Sequence, residues 1–70
     1  MTITTIAEAR SLVGRTFERN GSRRRINNVD EHRRRVSYWA YPKDLCSYPV
    51  VCAFDDFCDW LSEATEVVQR

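Results

Sequence analysis

Phe17-Glu18-Arg19-Asn20-Gly21-Ser22-Arg23-Arg24-Arg25-Ile26 decides the fold: helical patterning gives way at Arg15, and Asn20-Gly21 turns the chain back on itself. Asn-Gly is the strongest short signal for a β-hairpin: a type I′ turn needs positive φ at both central positions, and these two residue types accept it at little cost. Strands are therefore expected near residues 15 to 19 and 22 to 29. Ile26 and Val29 are an odd number of positions apart, so a regular strand sends them to opposite faces. A bulge at Asn27-Asn28 brings both to one core.

Outward from the hairpin, Asp30-Glu31-His32 makes the next turn, and Arg34 to Tyr41 makes a third strand in which Val36, Tyr38 and Ala40 alternate with Arg35, Ser37, Trp39 and Tyr41. Pro42 to Pro49 reads as a loop, bracketed by residues that cannot donate to a ladder. Val50-Val51-Cys52-Ala53-Phe54 is a short apolar fourth strand. On the other side, Thr5-Ile6-Ala7-Glu8 has the form of a capping box. Ile6, Ala9, Leu12 and Val13 then share one side of a helix over 6 to 13, which Gly14 ends.

Asp55 and Asp56 suit the positive end of a helix dipole. Phe57, Trp60, Leu61 and Ala64 follow at the spacing of one apolar helix face. Thr65 to Val68 is open between a helix continuation, which the stripe favours, and a closing strand, which the β-branched residues favour. The expected class is α+β: a short N-terminal helix, a twisted antiparallel sheet of three to four strands and a C-terminal amphipathic helix, in a single domain spanning 1–70. In strand order and size, residues 15 to 68 are similar to SH3-like small barrels. That resemblance implies a curled, barrel-like sheet and no particular function.

Composition bounds the rest. Seventy residues leave room for one core, since a domain of this size buries only about 60% of its unfolded surface. A hydrophobic fraction of 43%, with two Trp, three Tyr and three Phe, is enough to build it. With no apolar run of membrane-spanning length and no signal-like start, the chain is expected to be cytoplasmic, without a membrane partner. Cys46, Cys52 and Cys58 are odd in number, which fits reduced thiols. Their even spacing of six residues lacks the close pairs of zinc sites, so even with His32 no metal or other cofactor is expected. No phosphate loop, H-E-x-x-H or G-x-S-x-G motif occurs, and the single His32 lies in a charged turn, so an enzyme is not expected.

The net charge is only +1, yet nine arginines lie between Arg10 and Arg35, whereas Asp44 to Gln69 holds six acids and no Lys or Arg. Asymmetry of this kind bears on partners rather than on fold. If the second and third strands pair through residues 30 to 32, Arg23-Arg24-Arg25 and Arg33-Arg34-Arg35 lie side by side, and their repulsion calls for a counterweight. Strand parity puts Arg23, Arg25, Arg33 and Arg35 on one outward face with Trp39 and Tyr41, while Arg24 and Arg34 turn toward the edge of the core.

Guanidinium forks match phosphate, and bases stack on Trp and Tyr, so such a face is a candidate nucleic-acid platform. The same residue types are enriched at protein interfaces, so an acidic protein surface is the alternative partner. In size and architecture the chain resembles small inhibitors and adaptors of phages and other mobile elements. A third candidate is homo-oligomer formation through the acidic helix from Asp55 to Glu66. The purely structural reading is a solvated face salted by Glu18, Asp30 and Glu31, with Trp39 covering core beneath a helix.

Overall fold

Among the described residues seven elements follow one another: α1 (Ile6–Arg10), β1 (Thr16–Arg19), β2 (Ser22–Asp30), β3 (Arg35–Tyr41), β4 (Tyr48–Ala53), α2 (Phe54–Ser62) and β5 (Thr65–Val67). This computed structural model describes residues 1–41 and 46–68. The strands form one antiparallel sheet in the order β4-β3-β2-β1-β5. The α+β class is as expected, with a fifth strand. Thr65 to Val67 is strand, because α2 ends at Ser62 and the chain returns to pair Thr65 with Glu18 and Val67 with Thr16. The sheet stays open, with β4 and β5 at its two edges, so the expected SH3-like closure does not occur.

The capping box forms as read: the Glu8 amide donates to Thr5 Oγ1 at 3.2 Å, and the Thr5 amide donates to Glu8 Oε1 at 3.1 Å. α1 is shorter than the periodicity predicts. After Arg10 the amides of Leu12 and Val13 reach back three residues, to Ala9 and Arg10, a tighter winding that ends the helix before Gly14 at φ +87°. Asn20 and Gly21 have φ of +52° and +82°, as the type I′ turn requires. The expected bulge lies between Ile26 and Asn28, and beyond it Val29 pairs with Val36 on the core side.

The next turn is longer than Asp30 to His32. It runs through Arg34, which takes φ +52°, and the Asp30 side chain holds it by accepting from the Arg33 amide at 3.1 Å. Strand β3 therefore starts at Arg35 rather than Arg34. β4 is displaced toward the N-terminus of its expected range: Tyr48 and Pro49 belong to it, and Phe54 opens α2 instead. Pro49 is tolerated because β4 is an edge strand. The remainder of the expected loop, 42 to 45, lies outside the described residues.

One core joins both helices to one face of the sheet. It contains Ile3, Ala9 and Leu12 from the N-terminal segment, Phe17, Ile26, Val29, Val36 and Tyr38 from the strands, and Phe54, Phe57, Trp60, Leu61 and Ala64 from α2 and its exit. Phe17, Phe57 and Leu61 are wholly buried. A fully buried side chain of this size stabilises by roughly 1.5 to 3 kcal/mol. Both helices sit on this side; among the described residues no layer covers the opposite face of the sheet, and none of its side chains is buried.

Candidate functional site

Cross-strand pairing defines the uncovered face row by row, since directly paired residues share a face. One row runs Val67, Thr16, Arg25, Trp39, Pro49; the next holds Thr65, Glu18, Arg23 and Tyr41. Beyond the bulge come Asn28, Ser37 and Val51, then Asp30, Arg35 and Ala53. Arg23, Arg25, Arg35, Trp39 and Tyr41 thus share the outward face that parity predicts. Trp39 stands half-buried between Arg25 and Pro49, and Tyr41 lies beside Arg23. Trp39 therefore does not cover core beneath a helix.

The two arginine triplets are not side by side. Arg23, Arg24 and Arg25 face Tyr41, Ala40 and Trp39, and Arg35 faces Asp30. Antiparallel return through the turn puts the triplets at different levels of the hairpin, and Arg35, four positions from Arg25's partner Trp39, lies about 13 Å from Arg25 along the strand direction. The expected cross-strand repulsion does not arise. Arg33 lies in the turn rather than on β3, exposed, and joins Arg35 around a shallow depression of about 250 Å³ with Asn28, Asp30, Ser37 and Val51. A second depression of about 280 Å³ is lined by Arg23, Arg25, Tyr41, Thr16 and Gly14. The face thus carries two arginine-lined hollows, and in the first the Ser37 hydroxyl donates to the Asn28 carbonyl at 3.3 Å.

The other described arginines, Arg10, Arg15, Arg19, Arg24 and Arg34, have structural partners. Arg15 donates from Nε to Glu66 Oε2 at 2.8 Å and from its NH2 group to Oε1, a bidentate clamp tying β5 to the start of β1. This hydrogen bonding holds the Glu66 carboxyl below and the Arg15 guanidinium above their usual ranges. Arg19 pairs with Glu63 at 2.8 Å, and Arg10 pairs with Glu31 at 2.9 Å. Arg24 points to the helix side, its guanidinium stacked 4.5 Å from the Tyr38 ring centre and 4.2 Å from that of Trp60. Arg34 covers Phe54 at 4.9 Å. On the outward face Arg23 has a long contact of 3.5 Å to Glu18, and among the described residues Arg25, Arg33 and Arg35 have no ion pair.

Among the described residues the acidic second half is therefore no counterweight to the triplets. Its Glu63 and Glu66 serve Arg19 and Arg15, while Asp55, Asp56 and Asp59 have no ion pair among the described residues. Burial pushes the thiols of Cys52 and Cys58 above their ordinary range, so both are protonated at neutral pH. Among the described residues no three of His, Cys, Asp and Glu converge as metal ligands, and no helix is long and apolar enough to cross a membrane. Comparisons with family models, curated proteins and solved structures found no match to this chain.

Proposed function

We propose that the protein is a non-enzymatic binding module whose outward sheet face takes single-stranded nucleic acid. The observation that carries this reading is the pairing of two accessible aromatics on β3, Trp39 and Tyr41, with Arg25 and Arg23 of the central strand β2 directly across from them. Trp39 and Tyr41 are two positions apart, about 6.7 Å, so neighbouring nucleotides of an extended strand each meet one ring. Arg23 and Arg25 at one hollow, and Arg33 and Arg35 at the other, then grip phosphates with their planar forks.

An acidic protein surface is the second reading, in the manner of a small inhibitor. It is favoured by exposed apolar surface beside the arginines: Val51, next to Ser37 and the Arg35 hollow, is 62% exposed. A flat face mixing arginine, aromatics and exposed aliphatics fits the centre of a protein interface.

Fluorescence anisotropy with labelled single- and double-stranded oligonucleotides over a salt series separates the two. Phosphate gripping predicts affinity that falls steeply with salt, with a logarithmic slope of about 0.7 per contact on single strands. No binding at about 50 mM salt removes the nucleic-acid reading and leaves the protein partner.

A further inference from the structure

We propose that the β4 edge is a self-association site, through which two copies join edge to edge into one continuous antiparallel sheet. The Phe54 amide donates to the Arg34 carbonyl at 2.9 Å, which fixes the phase of the β3–β4 ladder. With that phase, Val36 with Cys52, Tyr38 with Val50 and Ala40 with Tyr48 are the hydrogen-bonded pairs. The backbone groups of Pro49, Val51 and Ala53 consequently face outward from the edge.

An open edge of this kind is usually blunted by charged side chains, by proline or by shortness; on β4 the one such device is Pro49, which withholds only its own N–H. β5, at the other edge, has three residues and an ion-paired Glu66. β4 has six, and its outward-face side chains Pro49, Val51 and Ala53 are all exposed and uncharged.

The occupant that fits is a second copy of this chain. About a two-fold axis through Val51, perpendicular to the sheet, the Val51 residues of the two copies exchange N–H and C=O, and each Ala53 amide donates to the Pro49 carbonyl of the other copy. The one bond left over in a regular ladder runs from residue 49 to the carbonyl of residue 53. Proline has no N–H to give, and the Ala53 carbonyl, preceding α2, accepts the first helical bond instead. Donors and acceptors of the edge are thus self-complementary. A net charge of +1 per chain adds little repulsion between copies. This operator leaves both outward faces on the same side of the joined sheet.

Sedimentation velocity over a concentration series, without any added ligand, tests the proposal, with Ala53→Pro and Val51→Lys as the variants. Ala53 has φ −67° and ψ 151°, its N–H faces away from β3, and Cys52 before it is extended, so proline fits there while deleting two of the four inter-copy bonds. The expected result is a concentration-dependent dimer in the parent chain. Ala53→Pro weakens it by about tenfold or more with unchanged far-UV circular dichroism, and Val51→Lys removes it. Should Val51→Lys fail to fold, Ala53→Pro decides alone. A monomer at millimolar concentration overturns the proposal, as does a dimer that Ala53→Pro leaves equally tight. A salt-labile dimer indifferent to Ala53→Pro would instead place Asp55, Asp56 and Asp59 against the arginine face.

Discussion

The Arg24 guanidinium lies 4.2 Å from the centre of the Trp60 ring, so the middle arginine of the first triplet holds α2 to the sheet rather than facing a partner. Arg24 also covers Tyr38, and it is half-buried where its neighbours Arg23 and Arg25 are exposed. Arg24→Ala should therefore destabilise the fold by about 1 to 2 kcal/mol, the range for a partly desolvated cation over an aromatic face together with its lost packing. Arg25→Ser, one residue away on the open face, should change stability by less than about 0.5 kcal/mol. Urea denaturation of the two variants makes the comparison, and equal losses would contradict the split of the triplet.

Trp39 gives the reverse pattern. It is half-buried on a face with no second layer, so Trp39→Ala removes little core contact, yet base stacking on such a ring contributes roughly 1 to 3 kcal/mol. The expected outcome is a loss of about tenfold to a hundredfold in oligonucleotide affinity, with a salt slope unchanged because no phosphate contact is lost. Arg33→Ser with Arg35→Ser should do the opposite, lowering the salt slope while sparing the fold. If Trp39→Ala unfolds the chain instead, the ring belongs to the structure.

These contrasts show which parts of the protein are legible in its sequence. The Asn20-Gly21 turn, the bulge before Val29, the Thr5–Glu8 box and the Phe57, Trp60, Leu61 stripe all rest on contacts within a few residues, and each is found as read. Parity also orients Arg23, Arg25, Trp39 and Tyr41, because alternation is a local property of a strand. What is not legible depends on register and on distance along the chain. The register that sets Arg23 to Arg25 against Trp39 to Tyr41 keeps the two triplets apart, and neither Arg24 against Trp60 nor Arg15 against Glu66 follows from any pattern, since 36 and 51 positions separate them. The acidic residues that serve Arg15 and Arg19 were indistinguishable in sequence from those that serve no arginine.

Gly21 tests the hairpin on which the arrangement depends. An added Cβ there meets nothing within 4 Å, so any cost of Gly21→Ala comes from φ at +82° and not from crowding. Alanine in that region costs about 1 kcal/mol, and thermal unfolding should register it as a lower midpoint. Asn20→Gly, at φ +52°, removes strain rather than adding it, so it should be nearly neutral. An unchanged midpoint for Gly21→Ala would mean that the turn relaxes to another type.

The Arg15–Glu66 clamp makes stability depend on acid. Glu66 is held below its ordinary value of 4.5 chiefly by the hydrogen bond from Arg15, and Glu8 is lowered chiefly by the Thr4 amide. A carboxylate with a lowered folded-state value contributes stability that is fully present above the unfolded value and is lost as pH falls through the folded one. Stability should therefore hold from neutral pH down to about pH 5 and decline below it. Glu66→Gln should weaken the parent chain at neutral pH and flatten that decline, because glutamine does not titrate. β5, which this clamp ties to the start of β1, should lose amide protection first in hydrogen exchange at about pH 3. A Glu66→Gln chain whose acid limb is as steep as the parent's would show that the clamp is a surface pair without weight, and would leave Glu8 as the main titrating contact.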